Sequence, residues 1–196
     1  MPESTRRPAA RRTGGRSARV RAAVLQATID VVLEHGADGL SIAEVAQRAG
    51  VHETSIYRRW GTKSALALDA VLDRTRTDLP TPDTGTLRGD LLALLHDVAV
   101  FVRTPVGGLL LRMAVQEDLA EYEAARDQFW TARYAVGATV LDRAESRGEL
   151  RPGVDRRLAF EALLGPLHTR VLLTREPLDD AFLEGTVDLL LAGLTP

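Results

Sequence analysis

Apolar side chains recur every three or four positions along most of this chain, the period of a helix that buries one face. Val24, Thr28, Val31 and Val32 share such a face, with Leu25 beside it, and predict a first helix from about Ala18 to Glu34. His35-Gly36 ends it, Gly36 being suited to a left-handed cap. Ser41 and Glu44 form an S-x-x-E capping box that opens a second helix, striped by Ile42, Val45, Ala46 and Ala49 and stopped by Gly50. A short third helix runs from about His52 to Trp60 on the anchors Val51, Ile56 and Trp60, and Gly61 breaks it. Thr62 caps a fourth, from Lys63 to about Arg76.

The stretch Leu79-Pro80-Thr81-Pro82-Asp83-Thr84-Gly85 carries no helical pattern and marks the main boundary. Five helices are expected beyond it. Leu87–Arg103 is striped by Leu91, Leu94, Leu95, Val98 and Phe101. Thr104-Pro105 reads as a cap and first residue, opening a helix to about Leu119. Glu121–Arg147 is the longest, ended by Gly148. Asp155 caps a helix to about Thr174, with a kink predicted at Pro166. The last runs from about Leu178 to Leu194. No strand and no internal repeat emerges, so the fold class is all-α with about nine helices. The expected organisation is a disordered basic arm over 1–19, a helix-turn-helix domain with its connecting helix over 20–78, a linker over 79–85 and a second helical domain over 86–196.

Charge sharpens this division. Residues 1–76 hold 13 Arg and Lys against 8 Asp and Glu, a balance of +5, whereas residues 77–196 hold 12 against 19, a balance of −7. A basic front and an acidic back assign any polyanion to the front. The arm's Arg6, Arg7, Arg11, Arg12, Arg16 and Arg19 suit either DNA phosphates or a solubilising tail. Absence of Cys excludes disulfides, thiolate metal sites and cysteine nucleophiles. The apolar runs Val98–Val102 and Leu189–Leu191 are far below the roughly 18–20 residues that span a bilayer, and no secretory leader pattern opens the chain. No membrane partner and a cytoplasmic location are therefore expected. No G-x-G-x-x-G, P-loop, G-x-S-x-G or H-E-x-x-H pattern occurs, so no enzyme is expected. His96, His168 and Glu117 lack metal-ligand spacing, and neither metal nor cofactor is expected.

Two short helices about a Gly-centred turn describe a helix-turn-helix, whose second member lays one face in the major groove of double-stranded DNA. That face here is His52, Glu53, Thr54, Ser55, Tyr57 and Arg58, with Arg59 beside it. Tyr57, Thr54 and Ser55 can bond phosphates or base edges, and Arg58 can pair with phosphate or guanine. Lys63 opens the next helix, where its ammonium and the helix N–H groups can meet one phosphate. A helical hairpin with a polar solvent face is the alternative, weighed down by the basic character of this half.

The run Leu40-Ser41-Ile42-Ala43-Glu44-Val45-Ala46-Gln47-Arg48-Ala49-Gly50-Val51, followed by Ser55-Ile56-Tyr57-Arg58-Arg59-Trp60-Gly61-Thr62-Lys63-Ser64-Ala65-Leu66, strongly resembles the TetR family of transcriptional regulators over about residues 20–70. The resemblance implies a homodimer and places Ser41, His52, Thr54, Ser55, Tyr57, Arg58 and Lys63 at DNA-facing positions. Two residues depart from the family: His52 stands where Ser or Thr usually caps the helix, and Trp60 where Phe is commoner.

The resemblance further implies a ligand pocket among the helices after Leu87, with the last two forming a dimeric four-helix bundle. Phe101, Met113, Gln116, Phe129, Trp130, Tyr134 and His168 are the candidate pocket lining, suited to an apolar organic molecule. Leu163, Leu167, Val171, Leu183, Val187, Leu190 and Leu194 are the candidate dimer contacts, with an intramolecular core as the alternative. The expected function is a repressor released from a near-palindromic operator by a small apolar or amphipathic effector. An effector-free architectural DNA-binding protein and an activator of the same fold remain open.

Overall fold

A computed structural model describes residues 14–36, 38–115 and 123–196. The described residues form nine α-helices and no strand: α1 Gly14–His35, α2 Ile42–Ala49, α3 Glu53–Trp60, α4 Lys63–Asp78, α5 Leu87–Phe101, α6 Pro105–Val115, α7 Glu123–Ser146, α8 Arg156–His168 and α9 Asp180–Leu194. Four begin at the capping residues read from the sequence, Ser41, Thr62, Thr104 and Asp155, and two more at Thr86 and Asp179. Ser41, Thr62, Thr86 and Asp179 each accept from the backbone N–H three residues on, and Asp155 from those of Arg157 and Leu158. The Thr104 hydroxyl accepts from Gly107 N at 3.0 Å, with Pro105 the first residue of α6. The capping box is only half made. Ser41 Oγ takes the Glu44 N–H, but the Glu44 carboxylate turns to Arg48 and His35 instead of back to Ser41. Gly50 closes α2 at φ +65°, a conformation that costs an L side chain energy.

Two boundaries differ from the sequence reading. Residues 14–19 belong to α1 and not to an irregular arm. The overhanging first turns face solvent, so they show no apolar period, and Arg19 Nε bonds the Gly15 carbonyl across one turn. The rest of the expected arm, 1–13, lies outside the described residues, as does the end of the helix expected to reach Leu119. Pro166 sits inside α8, where it removes one N–H donor. Beyond His168 the chain continues through a π-helical turn, Thr169–Thr174, ended by Arg175 in the left-handed region.

The head packs α2 and α4 against α1 around Val24, Leu25, Val31, Val32, Val45, Ile56, Leu66 and Val71. The rear bundle sets α5, α7, α8 and α9 around Leu94, Leu95, Val140, Leu141, Leu163, Leu167, Leu183 and Val187. Between α7 and α8 the approach is closest at Gly137, where a Cβ would meet the Phe160 ring at 2.4 Å. Helices α6 and α7 both touch α4, and α6 also touches α1, so one apolar core runs through head and rear. The segment between α4 and α5 is tied down. Buried Asp90 accepts from the Thr84 N–H and hydroxyl and pairs with Arg147, Glu149 accepts from Leu87 N, and Arg143 donates to Pro82 O.

Candidate DNA-binding surface

Three contacts fix the recognition helix α3 against its neighbours. Ile56 is its buried anchor. Trp60 Nε1 donates to Asp69 Oδ2 of α4 at 2.8 Å, and the other oxygen of Asp69 takes Arg21 of α1 at 2.6 Å. Arg21 also reaches Asp73 at 3.0 Å, so a single guanidinium ties α1 to two turns of α4. The indole N–H thus has a half-buried partner that a Phe at this position would lack. Sequence reasoning missed this network, although Asp69 and Asp73 stand at the i, i+4 spacing that shares a helix face.

The outward face of α3 carries what the sequence suggested. His52, Glu53, Thr54, Tyr57 and Arg58 are exposed, and Ser55 is half-buried. His52 occupies the cap position with no side-chain capping bond, which leaves its ring available to a ligand. Lys63 is exposed on the first turn of α4. Among the described residues neither Arg58 nor Lys63 pairs with a carboxylate. Other cations nearby are committed. Arg48 grips both oxygens of Glu34, at 2.7 and 2.6 Å, and also Glu44, which raises its pKa through those bonds. Arg59 lies over the Trp60 ring and reaches Ser17 Oγ at 3.4 Å. Ser41 is half-buried with its hydroxyl used as a cap. Glu34, His35 and Glu44 cluster within metal-ligand reach of one another, but the Arg48 guanidinium already occupies the space between the two carboxylates.

The rear domain distributes the other candidates. Phe101 and Phe129 are buried, while Trp130, Tyr134 and His168 are half-buried. Trp130 and Tyr134 run along the seam of α7 and α8, with ring centroids 5.8 Å apart and Phe160 another 5.8 Å on. Tyr134 donates to Glu161 at 2.8 Å beneath the Arg157 guanidinium. Gln116 and the side chain of Met113 lie outside the described residues. Burial lowers the pKa of His168. The bundle core itself is filled: the gap among Leu91, Leu94, Val140, Phe160, Leu163 and Leu194 holds about 10 Å³. An open cleft of about 400 Å³ lies between α5 and α9, floored by Leu92, Ala93 and Leu183 and rimmed by His96, Asp97, Asp180 and Glu184.

The expected dimer stripe needs correction. Leu163, Leu167, Leu183, Val187 and Leu194 are buried by the chain's own core, and Val171 and Leu190 are half-buried. Their apolar burial is intramolecular. The opposite faces of α8 and α9 stay apolar too: Leu158 is 62 % exposed and Leu189 79 %, beside exposed Ala162, Pro166, Ala181, Gly185 and Ala192, with Leu173 at 76 % beyond α8. Both helices are apolar on two sides, and the candidate stripe lies mostly on the inner one.

Arg133 was also missed. It interrupts an inward stripe of Phe129, Gly137, Val140 and Ala144 on α7, and it is only 7 % exposed. A cation at a stripe position is the signal that would have found it.

Two family models match the chain. "Bacterial regulatory proteins, tetR family" matches residues 24–70, and "Tetracyclin repressor-like, C-terminal domain" matches residues 81–190. The chain is 36% identical over 179 residues to the HTH-type transcriptional regulator AqdR of Rhodococcus erythropolis, a match covering 91% of this chain and 86% of that protein. It is 34% identical over 172 residues to the DNA-binding transcriptional repressor TetR of Mycobacteroides abscessus, covering 85% and 89%. Among solved structures, the TetR family transcription regulator SCO0332 superposes with a TM-score of 0.80 at 38% identity, covering 90% of this chain and 99% of that one.

Proposed function

Because the chain belongs to the TetR family of transcriptional regulators and binds DNA through its helix-turn-helix, we infer that it acts in the bacterial cytoplasm as a homodimeric repressor that leaves a near-palindromic operator when a small apolar or amphipathic molecule enters the rear domain. One observation carries the reading. The exposed face of α3 and the first turn of α4 present Tyr57, Thr54, Arg58 and Lys63, and among the described residues neither cation is spent on a carboxylate. Phosphate and base edges are the partners that such a set takes.

The outward apolar faces of α8 and α9 support the dimer. Leu158, Leu173 and Leu189 exceed the scattered exposure normal for a monomer, and a two-fold axis through them joins like to like. The effector acts by preferring a dimer whose two heads are wrongly spaced for successive major grooves, about 34–36 Å apart. Footprinting on DNA upstream of the protein's own gene tests the whole reading. Protection that Tyr57→Ala or Lys63→Ala weakens, and that one compound from a small-molecule library removes, is the expected result. Protection indifferent to both substitutions would sink the assignment of the DNA face. A stable footprint with no responsive compound favours an effector-free DNA-binding protein.

A further inference from the structure

Arg133 is a cation in an unusual place. It lies in the middle of α7, one turn after buried Phe129 and one turn before the Gly137–Phe160 contact. Its guanidinium has five N–H donors, yet among the described residues its bonds are two long ones, 3.4 Å to the Thr75 carbonyl and 3.5 Å to the Leu79 carbonyl. Both acceptors belong to the C-terminal end of α4. Thr75 O already receives the Leu79 N–H at 3.0 Å. Among the described residues no carboxylate pairs with Arg133, and burial alone lowers its pKa. The other guanidiniums described above, Arg21, Arg48, Arg143, Arg147 and Arg157, each have a carboxylate, and Arg19, Arg58 and Arg59 are exposed. A buried charge held only by marginal bonds to carbonyls is costly to the folded state.

We propose that Arg133 receives the anionic headgroup of the effector, so that the ligand is an apolar molecule bearing a carboxylate or a similar acid. This rests on the ligand-responsive reading above and names the chemical class of that ligand. A planar guanidinium fork matches a carboxylate or sulfonate bidentately, far better than it matches two carbonyls at 3.4 and 3.5 Å. Phe129 and Trp130 on the same helix supply apolar surface for the body of the molecule. The rear of the chain is acidic overall, so an anion gains nothing from the distant field and needs a local cation. An arriving anion draws the guanidinium from the Thr75 and Leu79 carbonyls. The last turn of α4 then loses a positive group from the negative end of its dipole. Helix α4 begins at Lys63 beside the recognition helix, so the headgroup and the DNA face are joined by one rigid element.

A matched pair of probes tests this on the full-length protein. 8-Anilinonaphthalene-1-sulfonate carries an acid on an aromatic body, and N-phenyl-1-naphthylamine is the same body without it. Fluorescence titration of the wild-type protein is expected to give a saturable site that prefers the sulfonate by about ten-fold or more, the scale of one charge-assisted bond pair. Decanoate should displace the sulfonate probe, and decan-1-ol should not. Arg133→Met should abolish the preference while leaving the neutral probe's affinity unchanged. Arg133→Gln keeps N–H groups for Thr75 and Leu79 but drops the charge. It repeats the test if Arg133→Met does not fold, and it separates an anion anchor from a helix-end brace.

Equal affinity for the two probes, no binding of either, or an unchanged preference in Arg133→Gln overturns the proposal. A mobility-shift assay on the operator separates its failure from that of the ligand-responsive reading. Neutral compounds that release DNA from wild type and Arg133→Gln alike refute the anion site and leave ligand response standing. DNA binding that ignores all compounds, with the sulfonate preference intact, refutes ligand response and leaves the anion site standing.

Discussion

Cations near the recognition helix divide by what their own chain already asks of them. Arg48 is locked to Glu34 and Glu44 and Arg59 rests on Trp60, whereas Arg58 and Lys63 are exposed and pair with no carboxylate among the described residues. Removing Lys63 should therefore weaken binding to all DNA sequences and lower the slope of affinity against salt by about 1, as loss of one phosphate contact does. Arg58→Ala should cost affinity as well, and if it reads guanine it should relax preference at one base pair by about 1–3 kcal/mol. Arg48→Ala should leave the salt slope unchanged. Fluorescence anisotropy across a salt series distinguishes the three. His168 sets a different residue-scale expectation. Its burial depresses the folded pKa below the usual value near 6.5, so the unfolded chain takes up a proton at a pH where the folded chain does not. Stability is complete above about pH 6.5 and declines as the pH falls through the depressed value. Melting temperatures measured from about pH 7.5 down to pH 5 should fall for the wild type and flatten in His168→Gln.

Element boundaries were legible where a side chain punctuates the backbone. Ser41, Thr62, Thr104 and Asp155 all cap the helices they were read as opening, and Gly50 closes α2. The exposed α3 face was legible too, because Ile56 and Trp60 fix the helical phase over so short an element. Phase failed at α8 and α9. Leucines occupy both faces there, so periodicity has two solutions and only tertiary packing chooses between them. The two solutions make opposite predictions. Leu163→Ala empties a fully buried site and should cost about 2–5 kcal/mol of stability in denaturant titration. Leu189→Glu should leave the fold intact and shift the protein toward monomer by light scattering, with operator affinity falling in step. Arg133 was legible only as a cation on an apolar stripe; that it is buried against the end of α4 depends on packing that periodicity does not show.

At the scale of the whole molecule, two tracks of backbone join head and rear, beside the packing of α6 on α1. One is the irregular segment before α5, pinned by Asp90, Glu149 and Arg143. The other is α4, continuous from Lys63 at the DNA face to the carbonyls that Arg133 touches. Pinning the first track leaves the second to carry any change of head spacing. The filled bundle core agrees with this division, since a core with a gap of only about 10 Å³ moves as a block. The contact of Gly137 with the Phe160 ring completes the picture. If the bundle yields at all, this contact is where the 24-residue rod of α7 would turn against α8. The first residue of α7 lies about 21 Å from that point and the last about 13 Å, so a tilt of about 5° displaces the first by about 2 Å and the last by about 1 Å. A methyl group at the pivot has nowhere to go. Gly137→Ala should cost about 1–3 kcal/mol and, by wedging the rod at one angle, should blunt the response of the operator complex to any effector before it alters DNA binding itself.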